Sequence, residues 1–253
     1  MTMKNSSSIT IAALTALTVG AGIASADISG IRGQDTLRYF GADGSTESDL
    51  AGASYAVMDL YVQFNADNTD GFSNVDSHML SAFNWNFDSD FGNFYQNDLT
   101  GNGTGDFVGS WKPSFSFDIP GTANSGIDSF ITIGGGVGSQ AATNVTTPDP
   151  NLGAGLNNAI FNDNVGWFLN PPTSTQGDVL GTDYEVWVGR FTVTGDQARA
   201  NASFGVSGTV GYNYGQGTGS FSADIGGSFS YIPAPGALAL IGLGGLCARR
   251  RRA

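Results

Sequence analysis

Few side chains in this chain have the chemistry for catalysis. It has one histidine, His78, set between Ser77 and Met79, and one cysteine, Cys247, close to its C-terminus. No GxSxG stretch marks a nucleophile elbow. A zinc site built around a single histidine would have to be completed by carboxylates. Acid–base work would fall to carboxylate pairs. Asp88 with Asp90, and Asp183 with Glu185, stand two residues apart and would share one face of a strand. A glycosidase needs two carboxyl groups about 5–10 Å apart, one with a raised pKa. Spacing along a strand does not set that distance, and pairs of this kind arise by chance among 22 acidic residues. A glycan hydrolase is the least favoured reading, and the expectation is a protein that is not an enzyme, with no catalytic residue assigned.

Calcium is the sharpest ligand expectation. In "DLTGNGTGDF", Asp98, Thr100 and Asn102 fall at alternate positions before Gly103, with Asp106 beyond. Hard oxygen donors alternate here, and the glycine permits a sharp bend. The twelfth position is Gly109 instead of the bidentate glutamate of an EF-hand. That gap favours the plain alternative, a glycine–asparagine turn that needs no metal. A cofactor is therefore not required, with calcium on these four residues as the candidate.

The elements that would position such residues read as strands. In "YAVMDLYVQF", Ala56, Met58, Leu60, Val62 and Phe64 share a face, and Asp59 and Gln63 point the other way, as in a half-buried strand. "SAFNWNF" alternates Phe83, Trp85 and Phe87 with Asn84 and Asn86. "DYEVWVGRFTVTG" sets Trp187, Phe191 and Val193 on one side. The next two stretches align Phe204, Val206, Val210, Tyr212 and Tyr214, then Phe221, Ala223, Ile225, Phe229 and Tyr231. Short turn-like joints, such as "GQGTG", predict that these last three stretches form an antiparallel meander. "DSFITIGGG" reads as a short strand stopped by glycines, and "ATNVTTPDPNLGAGLNNA" as a long surface excursion. Long helical periodicity and fixed-period repeats are absent. The expected fold is all-β, a single antiparallel β-sandwich or jelly-roll.

Composition agrees. Charged residues are only 13% of the chain, whereas 17 Phe and 38 Gly supply core and turns. All 22 acids lie between Asp27 and Asp224, with only five of the ten basic residues, so the body is formally −17. Such a surface repels nucleic acid and anionic membrane. It also keeps an aromatic-rich protein soluble.

The termini carry the addresses. Lys4, the apolar run Ile9 to Val19 and "ASA", with Ala24 and Ala26 at the small positions, form a secretory signal peptide over residues 1–26. The far end reads "IPAPGALALIGLGGLCARRRRA". Prolines open it, the uncharged run Gly236 to Ala248 follows, and Arg249, Arg250, Arg251 and Arg252 form a basic membrane stop. The run is 13 residues, against the roughly 20 that span a bilayer, so it reads as a short apolar helix and a temporary anchor. This order of parts resembles the PEP-CTERM sorting signal of exported bacterial proteins, a tail also catalogued as an ice-binding protein C-terminal domain. The match covers about the last 23 residues, with Pro233, Ala234 and Pro235 at the sorting motif and Ala234 where the family usually has Glu.

The resemblance implies processing by an exosortase after passage through the secretion machinery, transient contact with the inner membrane, and a destination at the cell surface or in extracellular polysaccharide. Three segments follow: the signal peptide at 1–26, a β-sandwich ectodomain at 27–231 and the sorting tail at 232–253. The expected function is that of an exported structural protein of the cell surface or exopolysaccharide matrix. The alternative is a carbohydrate-binding module, with or without calcium, offering Trp111, Trp167 and Tyr95 to sugar rings.

Overall fold

The computed structural model describes residues 28–65, 77–96, 111, 126–134, 146–148, 164–179, 184–214 and 218–232. Within them the chain is all-β, with strands in two antiparallel five-stranded sheets. The first sheet runs β1 (Ile28–Arg32), β3 (Tyr55–Phe64), β8 (Glu185–Thr194), β5 (Phe130–Ile131), and the short β2 (Arg38–Phe40) also pairs with β3. The second runs β10 (Thr218–Ser230), β9 (Ser203–Tyr214), β4 (Ser77–Ser89), β7 (Val165–Leu169), β6 (Thr146–Pro148). Both sheets contribute to one apolar core, as a β-sandwich requires.

The alternating residues of β3 and β9 fill that core as their pattern predicts: Met58, Leu60, Val62, Phe204, Val210 and Tyr212 are all buried. Aromatic rings dominate it. Phe94 stands edge-on to Phe204 at 5.3 Å, and Phe191 lies 5.2 Å from both Phe87 and Phe94. Polar tips on buried rings tie the sheets together. Trp167 donates its indole N–H to the Thr132 carbonyl at 2.9 Å, and Tyr231 donates its hydroxyl to the Phe191 carbonyl at 2.9 Å. Tyr231 is fully buried, and that burial holds its phenol well above the ordinary tyrosine range.

Three sequence expectations need correction. The last three strands are not one meander. β9 and β10 form a hairpin-like pair, but β8 belongs to the opposite sheet. The one-turn helix α1 (Gly195–Arg199) carries the chain across. Its capping box pairs the Thr194 hydroxyl with the Gln197 amide N–H and the Gln197 side chain with the Thr194 N–H. Gly195 is required there, because a Cβ would sit 1.9 Å from the Ala53 carbonyl oxygen.

The second correction is to β8. A register shift opposite Leu60 and Tyr61 inserts one extra residue. Val186, Val188, Phe191 and Val193 therefore face the core together, and Trp187 turns to the outer face beside Phe130, 5.2 Å away. The third concerns β4. Asn84 adopts φ 55 inside a register shift between Phe83 and Asn86. The shift keeps Trp85 in the core and turns Phe83 out to 39% exposure. Asparagine tolerates the left-handed region, which permits the flip. Within the expected surface excursion, Thr146–Pro148 pairs with β7 as an edge strand.

Candidate functional site

Most of the polar groups with chemical potential are engaged in structural ties. Asp59 was expected to point to solvent from a half-buried strand, but it is 3% exposed. Arg190, itself 2% exposed, grips it in two hydrogen bonds: Nε to Oδ1 at 2.7 Å and Nη2 to Oδ2 at 3.0 Å. Arg38 adds a third, Nη2 to Oδ2 at 2.8 Å, from a side chain that is 43% exposed. The Arg190 guanidinium lies 5.4 Å from the Trp187 ring centre and 5.7 Å from that of Phe130. With Asp59 and Arg190 buried and Arg38 at the surface, the cluster welds β2, β3 and β8 together on the outer face of the first sheet.

Two of the four carboxylate candidates, Glu185 and Asp90, are tied as well. Glu185 takes a bidentate pair from Arg32, with Nε to Oε2 at 2.8 Å and Nη2 to Oε1. Glu185 is the first cause of the raised Arg32 pKa. The same guanidinium stacks 4.7 Å over Tyr61 and reaches Asp35 at 2.7 Å. Asp90 accepts the Ser203 amide N–H at 2.8 Å and the Ser203 hydroxyl at 2.7 Å. These two bonds hold its carboxyl below the usual range. Asp88 is exposed on β4, and Asp183 lies outside the described residues. His78 has an acceptor at each ring nitrogen, Asp178 Oδ1 at 2.7 Å from Nδ1 and the Pro172 carbonyl at 3.2 Å from Nε2. It fastens the 171–179 segment to the start of β4.

The aromatic candidates for sugar contact move inward. Trp111 is 2% exposed and Trp167 1%, both in the core. Tyr95 is half-buried against Tyr55, ring centres 4.8 Å apart. The calcium candidates Asp98, Thr100, Asn102 and Asp106 lie outside the described residues, as do Ala24 and Ala26, Pro233, Ala234 and Pro235, and Arg249 to Arg252. Among the described residues no cluster of three or more His, Cys, Asp or Glu is arranged to hold a metal ion. No described helix is long and apolar enough to cross a membrane.

What remains is the outer face of the second sheet. Register places Ser81, Phe83, Asn86 and Asp88 of β4 across from Gly211, Thr209, Ser207 and Gly205 of β9. Those face Ser222, Asp224, Gly226 and Ser228 of β10, and Ser81 also faces Phe168 of β7. The result is a broad, shallow surface of hydroxyl, amide, carboxylate and bare backbone. Two rings stand on it, Phe83 at 39% and Phe168 at 44% exposure. An open groove of about 470 Å³ crosses β4, β9 and β10, bordered by Asn86, Asp88, Ser207 and Ser228. Asp224 accepts the Thr209 hydroxyl at 2.7 Å, and Asn86 Oδ1 accepts the Asn164 amide at 2.9 Å. No cation belongs to this face among the described residues.

Sequence patterning missed both rings. Strict alternation put Phe83 in the core, and the only signal against it was the asparagine on its C-terminal side. Comparison of the chain with family models, curated proteins and solved structures gives no match to any of the three.

Proposed function

We propose that this is an exported, non-catalytic protein of the cell surface or extracellular matrix, delivered through its C-terminal tail, whose second sheet lies against neutral polysaccharide. One observation carries the glycan reading: Phe83 and Phe168 stand exposed on one sheet face amid hydroxyl, amide and carboxylate groups. A pyranose ring has an apolar C–H face and a rim of hydroxyls. An exposed aromatic ring suits the first, and groups such as Asn86, Asp88 and Ser207 suit the second. The negative charge of the body disfavours anionic polymers and leaves neutral ones.

The non-catalytic reading is supported by the structural engagement of Glu185, Asp90 and His78. Delivery is supported by the order of parts at the two termini. Processing is checked by the intact mass of protein recovered outside its host, and retention of Ala253 there contradicts it.

Affinity electrophoresis tests the glycan face. The full chain is run through gels containing a neutral β-glucan, a neutral α-glucan or alginate. Retardation is expected in a neutral gel, weakened about tenfold or more by Phe83→Ala with Phe168→Ala. Absence of retardation in every gel, or retardation undiminished in the double variant, overturns the proposal.

A further inference from the structure

A long sheet edge lies open on this molecule. β10 ends the second sheet and, among the described residues, pairs only with β9. The other edges are short or irregular. β5 has two residues and β6 three, and β1 carries a register shift at Ile28/Gly30 together with Arg32. β10 runs 13 residues with neither lysine nor proline, the usual guards of an edge.

The direction of its free groups can be read from one contact. Gln34 donates its side-chain N–H to the Ser230 carbonyl at 2.8 Å and accepts the Ser230 amide at 2.9 Å. A side-chain amide thus fills one slot of the open edge as a neighbouring strand would. Antiparallel strands turn alternate residues toward alternate neighbours. Ser222, Asp224, Gly226 and Ser228 therefore present their N–H and C=O groups on the same side as Ser230. All four are exposed, whereas Ser230 is half-buried. No register shift interrupts the β9–β10 pairing from Phe221 to Ser230.

We infer that β10 pairs antiparallel with β10 of a second copy of this chain, about a two-fold axis at Ile225. That register sets Ser222 against Ser228 and Asp224 against Gly226 of the other copy. It uses all four open residues of each strand and forms about eight ladder hydrogen bonds. The one anion on each open stretch then faces the residue without a side chain. Sliding the strands by two residues one way sets Asp224 against Asp224, like charges directly opposed. Sliding them the other way sets Ser222 against Ser230, whose slot Gln34 already fills. On the core side the favoured register pairs Ile225 with Ile225 and brings Phe221, 43% exposed, beside Phe229 of the second copy. The edge is thus self-complementary in hydrogen bonding and apolar cover, and this register keeps the two Asp224 carboxylates out of direct opposition, as diagonal neighbours about 7–8 Å apart, which favours a second copy over an unrelated strand. The inference does not depend on the glycan reading.

Sedimentation velocity on the full chain in mild detergent, with cross-linking, tests it. The wild type is expected as a dimer. Ser228→Pro removes an outward N–H from each copy without touching the β9–β10 ladder, and should weaken dimerisation about tenfold to a hundredfold. Ser228→Ala keeps the N–H and should stay dimeric. In a Cys247→Ser background, Ser222→Cys with Ser228→Cys should give a disulfide-linked dimer, since opposed Cα atoms lie about 5.5 Å apart. Within one strand the same positions are roughly 20 Å apart and cannot join. Ser228→Cys alone should not cross-link. A monomeric wild type overturns the inference, and so does a folded Ser228→Pro variant that dimerises as tightly as wild type. If Ser228→Pro does not fold, the cysteine pair decides: no cross-link, or an equal cross-link from the single cysteine, overturns it.

Discussion

Replacing Asp59 with asparagine should remove a large part of the stability of the molecule. Asp59 and Arg190 are 3% and 2% exposed, so neither can turn to water when its partner is lost. Asp59→Asn keeps the shape and one acceptor oxygen, but it sets an amide NH2 against guanidinium donors that now reach a carboxylate oxygen at 2.7 or 3.0 Å. Removing one partner of a buried pair costs about 3–5 kcal/mol. The acceptor that remains argues for the lower end, about 3 kcal/mol, a fall of roughly 150-fold in the ratio of folded to unfolded chains. Arg38 also reaches Asp59, but it is 43% exposed and can rehydrate. Arg38→Ala should cost about 1 kcal/mol or less. The double replacement Asp59→Leu with Arg190→Met removes both charges and should fall within about 1–2 kcal/mol of wild type. Equilibrium urea unfolding, followed by tryptophan fluorescence, measures all three. A loss below about 1 kcal/mol in Asp59→Asn, or an equal loss in Arg38→Ala, would refute the reasoning.

Two further outcomes are expected. A methyl group at Gly208 would lie 2.3 Å from Trp85 Cδ1 and 2.6 Å from Cγ. Gly208→Ala should therefore push the indole against Trp167, 4.8 Å away, costing about 1–3 kcal/mol and altering the near-ultraviolet circular dichroism. The Asp90 carboxyl is held below its ordinary range by Ser203, so its contribution is present above that range and is lost as pH falls through its lowered value. Wild type should be more stable than Asp90→Asn at neutral pH, with the gap closing toward acid. Urea midpoints across that range check this, and a gap that widens in acid contradicts it.

The strands were legible in the sequence wherever each residue kept the face assigned by strict alternation. β3 and β9 kept it, so Met58 and Val210 could be assigned to the core from pattern alone. The pattern failed where one residue was inserted into a ladder. After the shift in β8, Trp187 no longer faces with Phe191. After the shift at Asn84, Phe83 leaves the side that Trp85 keeps. A period of two carries no memory across a bulge, and the backbone geometry that makes a bulge is weakly written in residue type. Asp59 was misread for a different reason: its arginine partner stands 131 positions away, where no local pattern can show it. Sheet membership of β8 was hidden likewise, because α1 is too short to announce a crossing. The exposed rings of the candidate face emerge only once these two-sheet relations are in place.

Tyr231 has a mechanical consequence. It stands at the last described turn before the C-terminal tail, where any pull from an anchored tail would enter the folded body. Its hydroxyl is fastened to the Phe191 carbonyl in the first sheet, its amide to the Ala202 carbonyl, and its own carbonyl to the Tyr39 hydroxyl. A tug on the tail therefore cannot unzip β10 one rung at a time. On the proposed anchoring of the tail, it has to break ties to both layers at once, and Tyr231 is the residue that takes the load first.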